Sequence, residues 1–421
     1  MIDFRNQFEN NSIKDQYTAI EQFLKLGWQK EICLFKADLN QALTPLPSAE
    51  ELLGLALEDD VESSLVICRD ANDQHGNTDL RYQLKNGPFD ESALTTLGDQ
   101  NWTLLIQRLD QLFECIDDLS NEFNFLPHWR YANTMASLSM PGGSVGPHFD
   151  YYDVFLWQIS GEKEWRLSQS PMDENSRLNT DSGLRLLADF QPDFQLTTTP
   201  GDIVYLPPGI AHWGIANTPS TITYSIGFRA PTAVHLLSGL AQYLKSTSAN
   251  THFFNDDELR IHQHGGELTT ILVKRIQQLI GQYIENPESL LPWLGQYLTT
   301  IEQDWSIDDI AIDIAIEAVN SAPATQVAND GHHFLAKLRQ ASGIRRSPAS
   351  RIAYSRHDQQ FSLLFADGNM LKISTDQHAL IELLCNNRQL TLNSLSPFLN
   401  NFDSMAILDW LINQGTIYCQ D

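Results

Sequence analysis

His148 and Asp150 are separated by one residue, and side chains at i and i+2 of an extended chain leave on the same side. The run His148-Phe149-Asp150 therefore sends one imidazole and one carboxylate to a common point. A second imidazole, His212, follows the Gly201-Asp202 turn, the apolar run IVYLPP and the Pro207-Pro208-Gly209 turn. Two imidazoles and one carboxylate fill one face of an octahedron and leave three positions open, as in non-haem Fe(II) oxygenases. The open positions would take a bidentate co-substrate and O2. Plainer readings stand beside this one, because a histidine in a β-core also serves as hydrogen-bonded packing and Asp150 as a turn acceptor.

If that co-substrate were 2-oxoglutarate, a buried cation would be needed to pair with its distal carboxylate. Lys163 is the candidate: it follows the Ser160-Gly161 turn, on a hairpin expected to return the chain beside the strand beginning near Asp153. Equally, Glu162-Lys163-Glu164 reads as an exposed run of solvated charge. The hydroxyls of Ser137 and Thr223 are candidates for a further hydrogen bond to the same carboxylate.

These residues need a scaffold, and residues 137–229 supply short β-rich runs punctuated by Pro and Gly, the text of a small β-barrel. Strands of that length suit a double-stranded β-helix of the cupin type, with both sheets facing a central cavity. Upstream, residues 49–57 read as helix, 64–68 as strand, and 102–116 as a helix with Leu105, Leu109, Leu112 and Ile116 on one face. Downstream come helices at 234–244, 267–284 and 290–301. In the second of these, Leu272, Ile276 and Ile280 form an apolar stripe that fits either a bundle or a homodimer. Residues 303–330 turn acidic and then Ala/Asn-rich, like a boundary. Beyond them a helix at 332–340, a hairpin at 361–374 turning at Asp367-Gly368, and helices from Asp376 and Ser404 describe a winged-helix-like unit. The expected class is α+β, in three parts: an oxygenase domain at 1–232 with an N-terminal α/β elaboration, a helical dimerisation region at 233–330, and a winged-helix-like domain at 331–421. No internal repeat is evident.

Composition agrees with this plan. At 421 residues the chain exceeds the ~250–300 at which a single core stops growing. Its 42% apolar content fills real cores, and 53 acidic against 27 basic residues give a net charge of −26, which argues against gripping nucleic acid, leaves room for a basic partner and fits equally an acidic surface that simply keeps the protein soluble. Five scattered cysteines without a CxxC argue against a disulfide framework or a thiolate zinc site. With no apolar run near the ~20 residues of a membrane span and no leader-like start, a cytoplasmic location is expected.

The segments SLSMPGGSVGPHFDYYDVFLWQISGEKEWRL, PGDIVYLPPGIAHWG and YSIGFRAP resemble the bacterial JmjC ribosomal oxygenases, and the likeness extends over nearly the whole chain. The resemblance implies iron on His148, Asp150 and His212, and 2-oxoglutarate anchored at Lys163 with help from Ser137. It also implies a barrel, a helical dimerisation region and a winged-helix-like tail. One departure is that near relatives place Arg where this chain has Lys163, so a point charge replaces a bidentate fork. The implied reaction consumes 2-oxoglutarate and O2, yields succinate and CO2, and hydroxylates the β-carbon of an arginine in a basic protein of the large ribosomal subunit. Tyr151, Tyr152 and Asp153, directly after the HxD, could flank such a guanidinium or simply pack the barrel. Alternatives are a histidyl hydroxylase or lysine demethylase acting on another protein, and a non-enzymatic barrel that binds or assembles.

Overall fold

The structure, a computed structural model, describes residues 1–4, 13–37, 46–72, 78–172, 175–179, 183–247, 254, 268–285, 287–301, 338, 341–356 and 361–420. The expected boundary stretch at 303–330 and, apart from Leu338, the expected helix at 332–340 lie outside the described residues. Two compact units emerge, Met1–Ala230 and Pro231–Asp421.

In the first unit the chain passes through β1 (Ile2–Asp3), β2 (Cys33–Lys36), β3 (Ser63–Asn72), β4 (Thr78–Asn86), β5 (Trp102–Ile106) and β6 (Tyr131–Ser139). It continues through β7 (Asp153–Ser160), β8 (Lys163–Pro171), β9 (Leu178–Asn179), β10 (Leu186–Leu187), β11 (Phe194–Thr198), β12 (Asp202–Leu206), β13 (Ile210–Ala216) and β14 (Thr221–Phe228). A nine-stranded sheet runs β1-β2-β12-β7-β14-β6-β5-β3-β4, and a three-stranded sheet runs β11-β8-β13. Together they form a double-stranded β-helix, and period-2 alternation divides its residues between two cores. Trp157, Tyr205, Tyr224 and Phe228 point outward, under Phe23, Leu52 and Leu119 of the N-terminal elaboration. Val154, Leu156, Val204 and Leu206 meet Trp165, Leu167 and Ile210 of the smaller sheet. Each fully buried Leu or Phe contributes ~1.5–3 kcal/mol. The helix Ala49–Leu55 starts where a capping box permits: Ser48 Oγ accepts from the Glu51 amide and the Glu51 carboxylate accepts from the Ser48 amide.

Three local expectations need correction. Residues 102–116 are not one helix. Trp102–Ile106 is a strand between β3 and β6, buried on both faces, so it reads as unbroken apolar text that a helix could share. Arg108, at φ 52°, then turns the chain into the short helices Leu109–Leu112 and Glu114–Leu119. Next, His148-Phe149-Asp150 is not in a regular strand. Gly142 and Gly146 at positive φ keep the segment irregular, and at His148 a single bridge with His212 ties it to the edge of β13. Lastly, the Ser160-Gly161 turn is no hairpin: β7 lies in the large sheet and β8 in the small one, so the turn carries Lys163 across the barrel to face β6, β7 and β14.

In the second unit, helices Ala233–Ser246, Thr270–Ile284 and Pro287–Thr299 precede β15 (Gly343–Arg346), β16 (Ile352–Arg356), β17 (Phe361–Ala366), β18 (Asn369–Ser374), β19 (Gln389–Thr391) and β20 (Ile417–Gln420). β17 and β18 form the expected hairpin, with Asp367 and Gly368 both at positive φ as a type I′ turn demands. Leu364, Leu380, Leu384, Leu408 and Leu411 build its core, and the amide of Gln296, on the helix Pro287–Thr299, donates to the Gly368 carbonyl at 3.1 Å.

Candidate metal centre and co-substrate pocket

His212 enters the barrel from β13, beside a register shift between Ile210 and His212, and is 3% exposed. His148 comes from the segment alongside: its amide donates to the His212 carbonyl at 3.1 Å, and the His212 amide returns a bond of 2.8 Å. Asp150 follows, its own carbonyl accepting from the Gly209 amide at 2.7 Å. One donor atom from each of His148, Asp150 and His212 lies within 4.8 Å of the others.

Both imidazoles are held by Nδ1, that of His148 facing the Gly146 carbonyl at 2.9 Å and that of His212 the Ile210 carbonyl at 3.0 Å. A carbonyl only accepts, so each Nδ1 carries a proton and each ring is left with Nε2 to offer to the site. His212 Nε2 stands 3.7 Å from Asp150 Oδ2. Burial, reinforced by neighbouring His148, pushes the His212 pKa down to about 4, so the ring is neutral at neutral pH. Two imidazoles held at Nδ1 and a carboxylate, brought to one point, suit a divalent first-row cation.

Lys163 opens β8 at 5% exposure. Burial lowers its pKa to about 8, and among the described residues no carboxylate pairs with it. Its Nζ donates to Ser137 Oγ at 3.3 Å and sits 5.0 Å from the Trp165 ring centroid. The register places Ser137, Thr223 and Gln158 in one row across β6, β14 and β7, opposite this ammonium. Ser137 Oγ donates to the Thr223 carbonyl at 3.3 Å, whereas Thr223 Oγ1 donates to Gln158 Oε1 at 3.1 Å. A buried cation beside hydroxyls, with no fixed anion, fits the distal carboxylate of a dicarboxylic acid.

Of the residues after the HxD, Asp153 is not at a substrate surface. It is fully buried, ion-paired to Arg130 at 2.8 Å and bonded by the Tyr205 hydroxyl at 2.5 Å and Gln29 at 3.0 Å. Its carboxylate therefore ties β7 to β12 and to the N-terminal elaboration. Tyr152 stays by the metal site, its hydroxyl near Asp150 and its ring 5.1 Å under the Arg229 guanidinium. The Asp150 charge and burial raise its pKa. Tyr151 is 37% exposed and packs edge-on against Phe149.

Sequence reasoning overlooked Gln158 and Thr198. Thr198 Oγ1 accepts from the Trp165 indole at 3.2 Å and lies 3.1 Å from Gln158 Oε1, bracing the pocket floor. A lone Gln within the apolar strand DVFLWQIS was the available signal.

Comparison with known proteins agrees with this geometry. Residues 118–236 match the JmjC domain, and residues 282–418 match a ROXA-like winged helix. The ribosomal protein uL16 3-hydroxylase of Escherichia coli (strain K12) is 29% identical over 93% of this chain and 95% of its own length. The structure of YcfD, a ribosomal oxygenase from Escherichia coli, in complex with cobalt and 2-oxoglutarate superposes with a TM-score of 0.75 at 27% identity, covering 95% of this chain and 98% of that one. A bifunctional lysine-specific demethylase and histidyl-hydroxylase, NO66 of Dictyostelium discoideum, is 38% identical, but over only 18% of this chain and 15% of its own.

Proposed function

This chain is a JmjC-domain protein homologous over nearly its whole length to the uL16 3-hydroxylase, and from that premise we propose that it is an Fe(II)- and 2-oxoglutarate-dependent oxygenase that hydroxylates the β-carbon of an arginine in a large-subunit ribosomal protein. The observation that carries the reading is the convergence of the His148, Asp150 and His212 donors within 4.8 Å, with a buried ammonium on β8, the strand beside that of His212, which has no carboxylate partner among the described residues.

In this proposal His148 Nε2, Asp150 and His212 Nε2 hold the iron, with Tyr152 and Arg229 steadying the carboxylate. Bound iron with 2-oxoglutarate supplies the oxidation: one atom of O2 enters the substrate C–H bond, the other enters succinate, and CO2 leaves. Lys163, with Ser137, takes the distal carboxylate of 2-oxoglutarate and orients the other end toward the three ligands. Leu156, Trp165 and Leu167 keep water out of the barrel core. Thr223 shapes the same pocket while its hydroxyl is engaged by Gln158.

A net charge of −26 favours a basic ribosomal protein over direct nucleic-acid binding. No helix among the described residues is long and apolar enough to cross a membrane, and we place the reaction in the cytoplasm, where ribosomal proteins are made. We further propose a homodimer. The helix Thr270–Ile284 presents Val273, Ile276 and Ile280 at 41–51% exposure, a stripe that a second copy would cover.

The test is turnover. Purified protein with Fe(II), ascorbate, 2-oxoglutarate and large-subunit ribosomal proteins should form succinate, and His148→Ala should abolish it; equal turnover in the variant refutes the ligand assignment. The match to NO66 supports a second reading, in which histidine or methyl-lysine is the acceptor. An added oxygen on histidine, or released formaldehyde, would mark it. Absence of all turnover would favour a binding or assembly role for the barrel.

A further inference from the structure

The two imidazoles of the candidate metal centre are held very differently. His212 leans on the Ile210 carbonyl of β13, where the pairing with β8 shifts register between Ile210 and His212 and the Ala211 amide donates to Ser168 Oγ at 2.9 Å. His148 leans on the Gly146 carbonyl, in a segment with no ladder and with φ of +86° at Gly146. The peptide just before that carbonyl is held by a side chain: the Gly146 amide donates to Ser144 Oγ at 3.0 Å. Ser144 Oγ also accepts from Trp213 Nε1 at 3.0 Å. Ser144 is 3% exposed, and its carbonyl takes a further contact from Cys68 Sγ at 3.3 Å.

The segment from Gly142 to His148 is thereby pinned along β13 at three places. At one end the Gly142 amide donates to the Ala216 carbonyl at 2.8 Å, and the Ala216 amide donates to Gly143 at 3.0 Å. At the other end stands the bridge between His148 and His212. Between them the side chains supply the bond from Trp213 to Ser144, and the Tyr82 hydroxyl meets both of these residues. The indole itself is steadied by the Arg166 guanidinium, 4.6 Å from its centroid, which pairs with Glu164 at 2.8 Å. No side chain fits at 146 as the segment stands, since a Cβ there would lie 2.8 Å from Leu186 and 3.1 Å from Tyr82.

We propose that Ser144 and Trp213 are positioning residues for the metal site: the Trp213 indole N–H and the Gly146 amide clamp the Ser144 hydroxyl, and this clamp sets where His148 Nε2 points. The proposal rests on reading His148 as a ligand. Because Trp213 adjoins His212 in sequence, one hydrogen bond also couples the placement of the two imidazoles, which arrive from different parts of the chain.

The test is titration of the purified full chain with Co(II) alone, read by the visible ligand-field bands of the bound ion, beside thermal melting without metal. Partners one bond behind a ligand are worth ~10–100-fold in metal affinity. Ser144→Ala and Trp213→Phe should each weaken Co(II) binding by ~10-fold or more and alter the band pattern. The double variant should be no more than about twofold worse than the poorer single one, since Ser144→Ala already removes the bond that Trp213→Phe removes. Affinity and bands like those of the wild type in either single variant overturn the proposal, as do losses that multiply in the double. Should Ser144→Ala fail to fold, Trp213→Phe, which keeps a ring in place, carries the test. His148→Ala separates the two claims: if it binds Co(II) as the wild type does, the ligand reading fails and this inference with it. If it loses binding while Trp213→Phe does not, the inference alone fails.

Discussion

Replacing Lys163 by Met keeps the length and apolar stem of the side chain but removes the ammonium buried in the barrel. Burial takes the Lys163 pKa from its ordinary 10.5 to about 8. At about 1.4 kcal/mol per pKa unit, holding the charge inside costs the folded protein ~3 kcal/mol near neutral pH. Lys163→Met should therefore stabilise the protein in the absence of 2-oxoglutarate by up to ~3 kcal/mol, a rise in Tm of ~5 °C or more for a unit of this size. Between pH 8 and 10.5 the folded chain has released a proton that the unfolded chain retains, so wild-type stability climbs with pH there and the gap to the variant closes. Binding should move the opposite way. Truncating one partner of a buried charge pair costs ~2–5 kcal/mol, which predicts at least ~30-fold weaker 2-oxoglutarate binding. For the wild type, the same affinity should decline as pH rises past about 8, where the ammonium of the free protein loses its proton. Denaturant melts with and without 2-oxoglutarate, repeated from pH 7 to 10, measure both effects. A variant that is less stable at every pH and binds 2-oxoglutarate as before would refute the assignment of a buried, anion-seeking cation.

The remaining structure makes three further predictions. Gly214→Ala places a Cβ 2.6 Å from the Trp165 ring and 2.9 Å from Lys163 Cε, and the ring is held by Thr198, so overpacking should cost ~1–3 kcal/mol and raise the KM for 2-oxoglutarate more than it lowers kcat. Arg130→Met leaves Asp153 without its ion partner and should destabilise the barrel by ~3–5 kcal/mol in urea titrations, with Co(II) affinity of the folded fraction unchanged. Pairing Ile276→Glu with Ile280→Glu should convert a dimer to monomer in sedimentation without lowering the first unit's thermal stability; a wild-type monomer would contradict the dimer directly.

Much of the site was legible because its chemistry is carried by residue types at short range. The His-x-Asp spacing sends two donors one way whether or not the segment is a true strand, so the correction of its backbone leaves the convergence intact. The type I′ turn at Asp367-Gly368 was readable for the same reason, since its dihedrals suit few residues. What lay beyond reading was anything decided by which sheet a strand joins. The Ser160-Gly161 turn is compatible with a hairpin or a crossover, and only the pairing of β8 with β11 and β13 shows the latter. The run Trp102–Ile106 is apolar on both faces because it is covered on both, and periodicity cannot tell that from a buried helix. Likewise Asp153 looks like a substrate contact until Arg130, 23 residues upstream, is seen on it. Ser144 gave no local sign of its bond to β13, and Gln158, though a lone polar residue in an apolar strand, gave none of its partners on β11 and β14.

The account stands most directly on fragment-mass analysis of large-subunit ribosomal proteins from cells lacking this gene, complemented either with the wild type or with Asp150→Ala. The wild type should restore a single added oxygen on the side chain of one arginine in one protein, and Asp150→Ala should leave that arginine unmodified. An arginine equally oxygenated in both strains, or unmodified in both, would contradict the assignment of this site as an arginine hydroxylase.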